Sequence, residues 1–253
     1  RVGDALLQRV AGSRVPARLP MECEQMLGTQ IHPGLYLNEC TYDWPASPGQ
    51  VDTGFAGPRW TGPGRLQATD LLHFDTETTG LAGGTGTRAF MIGAGHWLDD
   101  GRFRVRQLTI TALRAEGPML EVFAGWIGPD TVLVSYNGKS YDAPLLNTRY
   151  RLARQASPLP GLLHLDLLHP TRRRYRDVWP NCRLSTAEQR LLGVAREDDL
   201  PGSEAPGVWR RFLQSVATAS VRSRDARDMR RVLAHNDQDI RSLAGLAGVL
   251  AAA

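Results

Sequence analysis

Lysine is almost missing from this sequence: of 30 basic residues only Lys139 is a lysine, and the rest are arginines. Cysteine is nearly as scarce. Cys23, Cys40 and Cys182 form no CxxC pair and have no histidine at short spacing, which argues against a zinc site or a disulfide framework and fits a reducing cytoplasm. No apolar run reaches the roughly 18 residues that a membrane span requires. The C-terminal stretch from Leu243 to Ala253 is too short and too rich in Gly and Ala. Nothing after Arg1 has the pattern of a secretory signal. What is present is ordinary for a soluble globular chain: 42% hydrophobic and 22% charged residues over 253 positions suit one large domain, or one domain with an extension. A net charge of +4 permits a polyanionic partner without demanding one. Arginines crowd between Arg149 and Arg231, with Arg172, Arg173, Arg174 and Arg176 nearly contiguous. They read either as a phosphate-tracking surface or as solvated helix faces.

The chain divides near residue 66. Residues 1–66 begin with a short amphipathic segment (Ala5, Leu6, Leu7, Val10) and are then broken by Pro16, Pro20, Pro33, Pro45, Pro48, Pro58 and Pro63, with glycines between them. Such punctuation opposes long regular elements, so this part reads as an extension or linker of unknown role. Residues 67–253 are regular. Strands are expected at Leu71–Thr76, Arg88–Trp97 and Arg102–Thr111, the last two joined by a turn at Asp99-Asp100-Gly101. Short strands follow at 131–136 and 162–168. Helical spacing marks 119–127, 144–153, 185–192, 208–216 and 227–249. A meander, then alternating helix and strand, predicts an α/β domain whose central mixed sheet is flanked by helices.

Acidic residues supply the chemical signal. In Leu72-His73-Phe74-Asp75-Thr76-Glu77-Thr78-Thr79-Gly80-Leu81 an apolar strand carries two acids at i and i+2, so Asp75 and Glu77 share a face. Adjacent carboxylates repel, and a half-buried pair calls for a cation unless it is simply a solvated strand end. A third acid, Asp142, follows the short buried strand expected at 131–136 and a glycine turn. The third segment is His235-Asn236-Asp237-Gln238-Asp239. On a helix His235 and Asp239 lie one turn apart on one face, and Asp237 is nearly opposite, solvated or capping.

Three motifs in order, FDTETTG at 74–80, NGKSYD at 137–142 and HNDQD at 235–239, resemble those of the DnaQ-like (DEDD) 3′–5′ exonuclease superfamily. Residues 69–250 are most similar to its YprB-like ribonuclease-H-like family, with supporting likeness in TGTRAFMIGAG at 85–95, HLDLLHPTRR at 164–173, CRLSTAEQRLLG at 182–193 and REDDLPG at 196–202. The resemblance implies a ribonuclease-H-like fold with about five strands, one of them antiparallel. It also implies metal-dependent hydrolysis of DNA or RNA from a single-stranded 3′ end. Asp75, Glu77, Asp142 and Asp239 would be the metal ligands, and their oxygens suit two Mg²⁺ or Mn²⁺ ions roughly 4 Å apart. His235 falls four residues before the last acid, where one branch of the superfamily has tyrosine and another places its histidine five residues before. It would orient or deprotonate the attacking water, or be a packed histidine.

Candidate substrate contacts are Thr78, Thr79 and Leu81 after the first motif, Asn137, Lys139 and Tyr141 in the second, and Arg172 and Arg173 in the arginine cluster. At Lys139 the compact ammonium could suit a metal-bound phosphate better than a guanidinium fork would. Asp166 could support the site from behind. Tyr175, Trp179 and Trp209 could stack bases, although core packing is the commoner role for the tryptophans. Two other readings stay open: an inactive nucleic-acid-binding module of the same fold, and a structure-specific endonuclease.

Overall fold

The computed structural model describes residues 25–44, 48–80, 85–218 and 221–252. Leu81 and the amphipathic segment at 5–10 lie outside them. Among the described residues the strands are β1 (Thr29–His32), β2 (Leu35–Tyr42), β3 (Gln50–Asp52), β4 (Arg65–Gln67), β5 (Leu71–Thr78), β6 (Ala89–Trp97), β7 (Phe103–Ile110), β8 (Val132–Ser135) and β9 (His164–Asp166). The α-helices are α1 (Glu116–Ala124), α2 (Asp142–Leu152), α3 (Leu168–Tyr175), α4 (Leu184–Ala187), α5 (Ala205–Ala217) and α6 (Ser223–Ala251). The helix expected over 185–192 is α-helical only at its start and continues as a π-helix from Glu188 to Leu192.

Strands β5 and β6 are almost wholly buried, which is why their sequences run apolar rather than alternating. They lie in a seven-stranded sheet of order β1-β2-β7-β6-β5-β8-β9. The five expected strands are β5 to β9. Among them β6 alone opposes the rest, being antiparallel to both β5 and β7, while β8 and β9 add in parallel. The sheet exceeds five because β1 and β2 extend it beyond β7, and residues 29–42 therefore join the sheet. Local punctuation does not prevent this, since Pro33 and Gly34 sit in the tight turn between β1 and β2. Met26, Leu27, Leu35 and Tyr36 pack into the main apolar cluster.

The sheet's pleat divides that burial between its two faces. Leu133 enters one cluster, and its neighbours Val132 and Val134 enter another. Helix α6 joins the two: Met229, Val232 and Leu233 pack in the first, and Ile240, Leu243 and Leu246 in the second. Its middle, residues 235–239, therefore crosses the sheet between the clusters. Gly93 of β6 permits the approach, because a Cβ there would collide with the Asn236 side chain.

Candidate active site

A cleft of about 290 Å³ is lined by Asp75, Thr76, Glu77 and Thr78 of β5, by Tyr136, Asn137, Tyr141 and Asp142 after β8, and by Gly202, His235 and Asp239. Three distant segments thus deliver Asp75, Glu77, Asp142 and Asp239 to one place. Asp75 is half-buried and the other three are buried. Burial and the charges of Asp142, Asp239 and Glu77 push the Asp75 carboxyl well above the usual carboxylate range. Burial with the charges of Asp239, Asp142 and Asp199 does the same to Glu77, against the opposing pull of Arg196. Burial raises Asp142 to about 6 even though a hydrogen bond from the Thr76 hydroxyl favours its charged form. Burial also raises Asp239, opposed by His235 and Arg196.

Two residues outside the motif acids shape this electrostatic field. The Asn236 amide donates to Asp75 Oδ2 at 3.1 Å, and its own oxygen accepts from Gln107 of β7 at 3.0 Å. Asn236 stood inside the HNDQD motif, but its role depends on Gln107 and Gly93 across the sheet. Arg196 donates to both Glu188 oxygens and to Asp239 Oδ1. It sits in the REDDLPG stretch, where a lone arginine among acids gives no sign of which acid it will meet. His235 Nδ1 lies 2.7 Å from Asp199 Oδ1 and 2.9 Å from an Arg196 nitrogen, and Nε2 lies 3.6 Å from Asp239 Oδ2.

The expected substrate contacts separate. Thr78, Asn137 and Tyr141 line the cleft, and the Tyr141 hydroxyl donates to the Gly80 carbonyl at 3.2 Å with the Thr78 hydroxyl beside it. Thr79 does not line it; its hydroxyl accepts from the Arg88 backbone, closing the end of the β5–β6 ladder. Lys139 and Arg173 line a neighbouring cavity instead, and Arg172 is exposed on α3 outside both. Asp166 accepts from the backbone N–H of Asn137, Lys139 and Leu168, so it fastens the turn that carries the second motif.

Asp237 is neither solvated nor a cap. The Tyr42 hydroxyl of β2 donates to it at 2.8 Å and Arg241 at 2.9 Å, which ties α6 to the sheet's added strands. Trp209 is core, fully buried and stacked on Phe90. Trp179 stacks on Tyr175 with ring centroids 4.0 Å apart, and both pack against the second apolar cluster. Arg149 of the arginine-rich region is likewise buried, donating to both Glu116 oxygens.

The donor chemistry of the four acids suits hard divalent cations, being all carboxylate oxygen and short of balancing charge. As they stand, however, no three His, Cys, Asp or Glu side chains among the described residues are placed to hold an ion. Asp239 is engaged by Arg196, which supplies the positive charge there. No helix among the described residues is long and apolar enough to cross a membrane.

A family model of the RNase_H superfamily matches residues 72–251, a span that contains all three acidic segments. The chain is also 35% identical over 178 residues to the uncharacterized protein YprB of Bacillus subtilis (strain 168). That alignment covers 70% of this chain and 41% of the relative, so it spans less than half of the relative's length.

Proposed function

Because the chain belongs to the RNase_H superfamily, we propose that it hydrolyses phosphodiester bonds of DNA or RNA stepwise from a 3′ end, with divalent cations held by Asp75, Glu77, Asp142 and Asp239. The observation that carries this reading is the convergence of four carboxylates from three segments on one cleft, where Asp75 feels the charge of the other three. When bound, a pair of Mg²⁺ or Mn²⁺ ions would neutralise the scissile phosphate and make an attacking water more acidic.

The remaining work falls to side chains of this protein. In the tautomer that donates Nδ1–H to Asp199, with the Arg196 nitrogen at 2.9 Å a neighbour and not a donor to Nδ1, His235 keeps a lone pair on Nε2 beside the cleft, and that nitrogen would accept the proton of the attacking water. Asp199 is a positioning residue, fixing the tautomer and the ring. Asn236 orients Asp75 through its amide, so that this carboxylate does not turn away from Glu77. The Thr78 and Tyr141 hydroxyls, tied to each other and to Gly80, form a polar wall for the terminal sugar.

End-labelled single- and double-stranded DNA and RNA, incubated with Mg²⁺, Mn²⁺ or EDTA, test the reading. Stepwise shortening from the 3′ end should occur with the metals, and should stop in EDTA and in Asp75→Asn. Internal cuts would instead identify an endonuclease, and binding without cleavage a recognition module. His235→Ala should lower turnover by about 100-fold or more, with divalent-ion affinity measured by calorimetry unchanged. Full turnover in that variant would remove the base role.

A further inference from the structure

A second cavity, of about 440 Å³, opens beside the catalytic cleft. The two share one turn: Asn137 and Tyr141 line the cleft, and Lys139 between them lines the cavity. Asn137 and Lys139 are two residues apart, so their Cα atoms are separated by at most about 7 Å. That is the scale of a single nucleotide step along a strand.

One side of the cavity wall comes from a stretch that the sequence left without a role, and the other from β9 and α3. Arg59 and Trp60 belong to residues 54–63, and they face Asp166 of β9 and Arg173 of α3. Arg173 donates to the carbonyls of Phe55 and Ala56, which pins this stretch against α3. Gly57 makes the approach possible: its φ is 86°, and a Cβ there would run into the Arg173 guanidinium. Trp60 is set in place twice, by its Nε1–H donated to the Pro63 carbonyl at 3.0 Å and by the close passage of Gly62 under its ring. It remains half-buried, with surface on the cavity.

The positive charge in this cavity is not balanced by an ion pair. Arg59, Lys139 and Arg173 form no ion pair with a carboxylate among the described residues. Asp166, the carboxylate in the wall, is occupied by three backbone N–H groups. The groove beyond His235, on another flank of the cleft, also carries arginines, but it has no tryptophan, tyrosine or phenylalanine in its wall, and three of its five arginines are matched. Arg231 pairs with Asp198, Arg241 with Asp237 and Arg196 with Glu188. Three cations without a carboxylate partner around a fixed, partly exposed indole are the combination that holds unpaired nucleotides, phosphate on the cations and base on the ring.

We propose that this cavity is a subsite for the single-stranded polynucleotide whose end lies in the cleft, with Trp60 stacking a base and Arg59, Lys139 and Arg173 holding the adjoining backbone phosphates. The proposal rests on the nuclease reading above and extends it to residues 54–63. A duplex does not satisfy the site, because a paired and stacked base cannot lie on the indole. Lys139 then serves the phosphate next to the reacting one, at the point where the turn passes from cleft to cavity.

Fluorescence anisotropy of labelled 12-nucleotide single strands, one of DNA and one of RNA, measures this in the full chain. An Asp75→Asn background with Mg²⁺ prevents turnover during titration. Trp60→Leu should weaken binding about 10-fold, and Trp60→Tyr, which keeps a stacking face, should recover most of the loss. Arg59→Ala removes an exposed side chain, so the fold is spared. It should reduce the slope of log affinity against log salt by about 0.7. A loss on either polymer supports the subsite, and a loss on only one names the sugar it accepts. Parental affinity and salt slope in both Arg59→Ala and Trp60→Leu would overturn it and leave the nuclease reading intact. If the parent chain binds neither strand, both readings fall.

Discussion

Arg196 is one guanidinium shared by two buried acids, Glu188 and Asp239. Glu188 is fully buried and cannot recover water if the guanidinium is removed, while Asp239 is left facing the cleft beside the other acids. Arg196→Ala should therefore cost about 3–5 kcal/mol in urea unfolding without divalent ions. Part of that loss should return with Mg²⁺, since Asp239 would then have another cation to meet. An unchanged urea midpoint would show that these pairs contribute nothing. At this scale the sequence reading was uneven. Helical phase separates Asp239 from Asp237 correctly as to face, because one turn of helix is fixed geometry. It could not supply the partner of either. Asp237 bonds Tyr42 at 195 positions' distance, and Asp239 bonds Arg196 at 43.

Among the elements, the crossing of α6 over β6 sets the site's depth. Asn236 reaches Asp75 only because Gly93 leaves room beneath it, and Ile240 likewise packs over Gly95. Gly93→Ala must push the helix outward. An overpacking cost of about 1–3 kcal/mol is expected, together with reduced cleavage as Asn236 leaves Asp75. Thermal unfolding beside the end-label assay checks both, and a variant as stable and as active as the parent would refute the tight crossing. The elements were legible where periodicity is strong. Strands β5 to β9 and helices α1, α2, α5 and α6 stand within a few residues of their expected places. Strands β1 and β2 were not legible, because Pro33 and Gly34 read as breakers when they are the turn of a hairpin.

For the whole molecule, what matters is that the fold holds four acids close together without enough balancing charge. A carboxyl raised in the folded state keeps a proton that the unfolded chain has already lost. Stability from these groups is therefore present at low pH and declines as pH rises through the raised values, about 6 for Asp142. Divalent ions require the deprotonated forms, so binding releases those protons. The increase in melting temperature produced by Mg²⁺ should accordingly grow between about pH 5 and pH 7. An Mg²⁺ effect that is level across this range, measured in matched scans with EDTA, would show that the acids are not the ligands.

The sequence by itself determined the chemistry available: a strand with acids two residues apart, an acid after a glycine turn, and a helix with histidine and aspartate one turn apart. These are local because strand pleat and helical pitch are local. Tertiary structure decided the company those residues keep. Asn236 behind Asp75, Arg196 on Asp239, Asp199 on His235, and the Arg59–Trp60 segment beside Lys139 all depend on which surfaces meet across the sheet. Charge and hydrogen bonding act through a few ångströms of space, and the sequence specifies neighbours in space only through the completed fold.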